Sequence, residues 1–117
     1  MLNQIVLVGR LTKEPELIET ESGKTYSNIT LAVPRPYKNA EGIYDTDFIN
    51  CKIWNNIAIN TADYCKKGDL LGIKGRVQSN SYDDKETGEN KFKMEIVAEK
   101  VTFLTSKSHN EPENERY

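Results

Sequence analysis

Histidine is almost missing from this chain: His109 is the only one in 117 residues, and it falls in the polar run "TSKSHNEPENERY" at the C-terminal end. No nucleophile is paired with a base, no cluster has metal-ligand spacing, and no glycine loop is built to cradle a phosphate. Catalysis, a bound metal and a cofactor are therefore not expected. Nuclease chemistry needs acids and a cation clustered in one cleft, whereas the acids here fall in loops and turns. Cysteine is scarce too. Cys51 and Cys65 stand in no C-x-x-C pattern and are too few for a disulfide framework, so both are expected to be buried, reduced and inert.

Long apolar runs are absent as well. The longest, Ile5 to Val8, is far below the roughly 20 residues that a spanning helix needs, and the N-terminus lacks the charged and apolar regions of a secretory signal. The expectation is a cytoplasmic protein without membrane contact. An excess of positive charge is also missing, since 16 basic residues face 18 acidic ones. That balance weighs against a nucleic-acid binder, but its distribution matters more. Acids gather at Glu14 to Glu21, at Glu41 to Asp47 and at Asp83 to Glu89. Between these runs, residues 22 to 40 carry Lys24, Arg35 and Lys38 with no acid, and residues 48 to 82 carry Lys52, Lys66, Lys67, Lys74 and Arg76 against Asp63 and Asp69.

Periodicity and punctuation predict five strands and one helix. The first strand, "NQIVLVGRLT", is apolar on both sides at Ile5 to Val8, as expected if its second face packs on another subunit. The second, "TYSNITLAV", turns Ile29, Leu31 and Val33 inward and Tyr26, Asn28 and Thr30 outward. The third, "DFINCKIW", turns Ile49, Cys51 and Ile53 inward and Phe48, Asn50, Lys52 and Trp54 outward. A helix is predicted within "NNIAINTADYCKKGD", with Ala58, Ala62 and Cys65 on one face, Lys66 and Lys67 at its negative end and Gly68 as a left-handed cap. The fourth strand, "DLLGIKGRVQS", sets Leu71, Ile73, Gly75 and Val77 against Lys74, Arg76 and Gln78. The fifth, near residues 91 to 104, alternates Phe92, Met94, Ile96 and Ala98. "PRPYKNAEGIYDTD" and "NSYDDKETGEN" read as two long loops, and residues 106 to 117 as a disordered tail. Three strands, a helix between the third and fourth, and two more strands is the order of an OB-fold, a five-stranded Greek-key barrel, here over residues 1 to 105.

Four aromatics fall where they could line one surface of such a barrel: Tyr37 in the first loop, Phe48 and Trp54 on the third strand, and Tyr82 at the start of the second loop. An unpaired nucleic-acid strand exposes base faces and one charge per nucleotide, so a sequence-tolerant binder needs flat rings with cations between them. Lys52 lies between Phe48 and Trp54, Asn50 offers hydrogen bonds, and Arg35 and Lys38 flank Tyr37. Lys74 and Arg76 meet phosphate or simply keep an outer face soluble. Each aromatic has an ordinary structural use as well, packed under a loop or against another subunit. An RNA-binding module therefore stays open, as does a protein-interaction OB module such as a replication-restart subunit with its aromatics in subunit contacts.

From Asn3 to about Leu104 the chain resembles the bacterial single-stranded DNA-binding protein family. The residues that carry the resemblance are "NQIVLVGRLTKEPEL", "SNITLAV", "DFINCKIW", "YCKKGDLLGIKGRVQS" and the "SY" that opens the last long loop, in that order and spacing. The resemblance implies an OB-fold, no enzymatic activity, and a homotetramer around which single-stranded DNA wraps. It also implies stacking stations at Tyr37, Phe48, Trp54 and Tyr82. Two departures stand out. "QSNSY" supplies no charge where many relatives carry arginine or lysine, and "HNEPENERY" lacks the acidic Ile-Pro-Phe-like tip through which long-tailed relatives recruit enzymes. Recruitment through such a tip is therefore not expected, and the pattern is that of a short-tailed form serving replication, recombination, repair or DNA uptake.

Overall fold

In the computed structural model, which describes residues 1–105, six strands and a helix follow one another. They are β1 (Ile5–Leu11), β2 (Ile18–Glu19), β3 (Thr25–Lys38), β4 (Tyr44–Trp54), α1 (Asn55–Tyr64), β5 (Leu70–Asp83) and β6 (Asn90–Phe103). The polar tail, with His109, lies outside the described residues. Five strands pair in the ring β1-β5-β6-β4-β3, and β1 closes it by pairing Arg10 with Ala32 and Leu11 with Leu31 of β3. This is the expected OB barrel. The short β2, which pairs only with the start of β3, was not expected, and it places the helix between the fourth and fifth strands instead of the third and fourth.

Alternation accounts for the core. Ile29 and Leu31 of β3, Cys51 and Ile53 of β4, and Leu71 and Ile73 of β5 are all buried, and Ala58 of α1 packs onto the same cluster. Each buried isoleucine or leucine contributes roughly 1.5 to 3 kcal/mol of hydrophobic stabilisation. Cys51 and Cys65 lie buried in this core without a disulfide, and burial pushes the Cys51 thiol up to about 11, so it stays protonated and unreactive near neutral pH. On β1, Leu11 is buried and Leu7 packs against the core, while Val6 and Val8 are exposed on the other face.

Three local expectations are corrected. Both long loops are mostly strand: β3 and β4 stay paired from Pro34 opposite Thr46 out to Lys38 opposite Tyr44, and β5 and β6 stay paired out to Asp83 opposite Asn90. Two hairpin arms therefore project from the barrel, each turned by a glycine at positive φ, Gly42 (80°) and Gly88 (76°). Phe92 and Met94 alternate with Ile96 as expected, but they ride on the second arm beyond the core and are exposed. Finally, α1 stops at Tyr64, where extended Cys65 ends it, so Lys66, Lys67 and Gly68 belong to the following turn and not to the helix end. There Asp69 accepts the Lys66 backbone N–H, and Thr61, not Ala62, is the second buried residue of the helix.

Closure depends on two close backbone passages. A Cβ on Gly9 would lie 2.7 Å from the Ala32 carbonyl oxygen, and one on Gly75 would collide with the carbonyl oxygen of Val97. Beside Gly75 the β5–β6 register slips at a bulge after Lys74. By contrast, Ser27 is fully buried with no partner for its hydroxyl. Gly75→Ala should therefore cost at least about 2 kcal/mol in urea unfolding through overpacking. Ser27→Ala should be neutral or stabilising by about 1 kcal/mol, because it removes an orphaned polar group.

Candidate nucleic-acid interface

The outer face of the β3–β4 pair is a ladder of unlike residues. Across it Tyr26 stands opposite Trp54, Asn28 opposite Lys52, Thr30 opposite Asn50 and Ala32 opposite Phe48. At a strand rise of about 3.4 Å per residue, Phe48 and Trp54 are separated by roughly 20 Å. Phe48 is 67% exposed. Trp54 is half-buried because Tyr26 packs on it, with ring centroids 5.1 Å apart and planes tilted by 42°. Neither ring is sealed in the core.

Between the two rings runs an open groove of about 370 Å³, lined by Asn28, Thr30, Asn50 and Lys52 on its floor, by Lys93, Met94 and Glu95 of β6, and by Lys13. Its polar groups are already partly engaged. Thr30 donates its hydroxyl to Asn50 Oδ1 at 2.6 Å, which orients the Asn50 amide and leaves its Nδ2 donors facing the groove's solvent. Lys52 Nζ lies 4.8 Å from the Tyr26 ring centroid and 5.5 Å from that of Trp54, at cation–π range. The same ammonium lies 3.6 Å from Glu95 Oε2. Lys52 therefore sits between aromatic faces and a carboxylate.

The remaining candidates lie apart from this floor. Tyr37 and Lys38 are exposed on the β3–β4 arm, where the Lys38 ammonium lies 5.7 Å from the Tyr44 ring centroid. Arg35, at the root of that arm, is clamped by acids. Its Nε and Nη2 donate to Asp47 Oδ1 at 3.2 and 2.9 Å, and its Nη1 lies 3.7 Å from Asp45 Oδ2. Tyr82 is exposed on the β5–β6 arm, opposite Lys91. Lys74 and Arg76 lie on β5, which does not border β3 or β4 in the ring; Lys74 stands opposite Val6 of β1, and Arg76 pairs with Glu99 at 2.9 Å.

Lys13, Lys93, Glu95 and Tyr26 border or cover the floor without having been singled out as site residues. For Lys93 and Glu95 a signal existed, because they alternate with Phe92, Met94 and Ile96. For Lys13, in the turn after β1, there was none. Among the described residues no group of three or more histidine, cysteine or acidic side chains could hold a metal ion, and no helix is long and apolar enough to cross a membrane.

Residues 2–104 match the model of the single-strand binding protein family. The chain belongs to that family. It is 47% identical over 107 residues to single-stranded DNA-binding protein B of Bacillus subtilis, covering 92% of this chain and 94% of that protein. It is 52% identical over 104 residues to the single-stranded DNA-binding protein of Halalkalibacterium halodurans, covering 89% of this chain but 61% of that longer relative. The barrel also superposes on a crystal structure of a deletion mutant of the Thermus aquaticus single-stranded DNA binding protein. That match has a TM-score of 0.74 at 24% identity and covers 92% of this chain and 52% of the other, a likeness of fold.

The Arg35 clamp sits at the root of the arm that carries Tyr37. The hydrogen bonds from Arg35, reinforced by its charge, hold the Asp47 carboxyl below the usual carboxylate range. A lowered carboxyl stabilises the fold above its ordinary value of about 3.9 and loses that contribution as pH falls through the lowered value. The clamp should thus be intact at pH 5 and open only below about pH 4. Carboxyl-carbon NMR titration checks this, and Arg35→Gln should return the Asp47 midpoint toward the ordinary value.

Proposed function

We propose that the chain binds single-stranded DNA without sequence preference, with bases stacked on Phe48 and Trp54 and the intervening phosphates drawn to the groove between them. The observation that carries this reading is the groove itself, a polar, lysine-lined channel flanked by two accessible rings on one strand. Stacking contributes about 1 to 3 kcal/mol per base, so two rings on the floor and further rings on the arms suffice without a large positive charge. Tyr37 and Tyr82 serve as outer stations on the arms, with Lys38 beside the first. Asn50 donates its free amide hydrogens to a base edge or a phosphate. Arg35 orders the arm, and Lys74 and Arg76 act away from the β3–β4 groove.

Membership in a family named for strand binding, and relatives named single-stranded DNA-binding proteins, support this assignment. The reading extends to a binding protein with no catalytic role of its own, acting on cytoplasmic DNA during replication, recombination, repair or uptake. Self-association, with a homotetramer as the expected form, is supported by Val6 and Val8, which leave an apolar stripe of β1 uncovered in the single chain. Sedimentation tests that assembly.

Titration of intrinsic fluorescence with oligo(dT) tests the binding mode. Trp54 emission should fall sharply as bases stack, and an unchanged spectrum would favour the protein-interaction module instead. Phe48→Ala should weaken oligo(dT) binding by about 1 to 3 kcal/mol with thermal stability unchanged, because the ring projects into solvent. Trp54→Ala should weaken binding by a similar amount, and it should also cost about 0.5 to 1.5 kcal/mol of stability through the lost Tyr26 contact.

A further inference from the structure

The groove proposed for a polyanion contains an acid. Glu95 projects from β6 beside Lys52, which stands on β4 next to Val97 in the parallel β4–β6 pairing. Its two oxygens are engaged separately: Oε2 lies 3.6 Å from Lys52 Nζ, and Oε1 accepts from Asn80 Nδ2 at 3.1 Å. The Lys52 and Glu95 side chains are only 25% and 19% exposed, so solvent and salt screen this pair less than a surface pair. Asn80 itself accepts from Gln78 at the outer reach of hydrogen bonding, 3.4 Å, so the carboxylate ends a row of side chains along β5. Glu95 is therefore held in place at the cation that β4 itself sets between Phe48 and Trp54.

We infer that Glu95 is an affinity-setting residue of the groove, an internal counter-anion that occupies the Lys52 ammonium until a phosphate of the incoming strand takes its place. The inference rests on the reading of the groove as a single-strand site. Phosphate and carboxylate compete for one ammonium, so a strand gains less from Lys52 than from an unpaired lysine. A single-strand phosphate neutralised by an unpaired lysine contributes about 0.7 to the slope of log affinity against log salt, through release of counterions. A lysine already neutralised by its neighbour contributes well below that. Among the described residues Lys13 and Lys93, which line the same groove, form no salt bridge, and they supply its unmasked charge. The consequence is binding weighted toward base stacking and away from charge, so that duplexes and other polyanions without free base faces gain little from this site.

The test is a double-mutant cycle with Glu95→Gln and Lys52→Gln, titrating oligo(dT) at several salt concentrations by Trp54 fluorescence. Glutamine keeps the acceptor for Asn80 and removes only the charge. Glu95→Gln should raise affinity roughly threefold to tenfold at low salt and steepen the salt slope by up to about 0.7. Lys52→Gln should flatten the slope by about 0.7 when Glu95 is already glutamine, and by much less in the parent chain. Thermal melting of all four proteins separates binding effects from folding. If Glu95→Gln melts early, Asn80→Ala is the second variant; it frees the carboxylate from one of its two holds and should raise affinity in the same direction. Equal Lys52 contributions in both backgrounds, or a Glu95→Gln gain that persists without Lys52, would overturn the inference. Failure of the parent chain to bind oligo(dT) at all would instead sink the single-strand reading, and that result is in hand before any variant is made.

Discussion

Everything on the surface of this barrel is positioned by how tightly its backbone closes. β5 and β6 pass so close at Gly75 and Val97 that no side chain fits between them, and β1 crosses β3 at Gly9 with similar economy of space. The register shift after Lys74 skips Glu99, so the core-facing set of β6 changes from Ile96 and Ala98 before it to Val101 and Phe103 after it. On its other edge β6 runs parallel to β4, pairing Cys51 with Ile96 and Lys52 with Val97. The groove wall made by Lys93, Met94 and Glu95 adjoins this parallel contact. A small barrel with a looser seam would leave the β3–β4 ladder as a flat face with no channel along it.

The electrostatics follow from the same geometry. A chain with two more acids than bases does not need a positive surface overall; it needs its acids engaged where they would repel a ligand. Asp45 and Asp47 are tied to Arg35, Asp84 to Lys91 at 3.0 Å, and Glu99 to Arg76. The hydrogen bond from Lys91, together with the backbone N–H groups of Glu86 and Thr87, holds the Asp84 carboxyl below the usual carboxylate range. These exposed pairs add little to stability. Those on the arms neutralise Asp45, Asp47 and Asp84, three acids in two of the three acidic runs.

Much of this was legible in the sequence, and the limits have physical causes. Alternation in β3, β4 and β5 gave the inward and outward faces correctly, because one-sided burial imposes a period of two. The arms were read as loops because Pro34, Pro36, Gly42 and Gly88 are turn-formers and the segments are polar. What makes them strands is cross-strand pairing out to Lys38 opposite Tyr44 and Asp83 opposite Asn90, which needs no core and leaves no apolar pattern. Gly68 does adopt positive φ, 94°, as expected of a left-handed cap, but it lies four residues past the helix in the Lys66–Asp69 turn, since Cys65 turns extended to reach the core. The Lys52–Glu95 contact was not legible, because it depends on a parallel pairing between strands far apart in the chain.

On the proposed single-strand reading, the outward face of β4 has a reason for its composition. A strand that stacks bases must keep apolar rings exposed, and exposed rings invite collapse onto each other or onto a second chain. Here each ring is kept apart by a polar residue with its own fixed partner: Asn50 is pinned by Thr30, and Lys52 is drawn toward Tyr26, Trp54 and Glu95. Tyr26 packs on one side of Trp54 and limits its rotamers, so less side-chain entropy is left to lose when a base arrives. Phe48 has only Ala32 opposite it and keeps most of its surface open. The two rings thus differ in kind: Trp54 is held against Tyr26, while Phe48 is open on most of its surface.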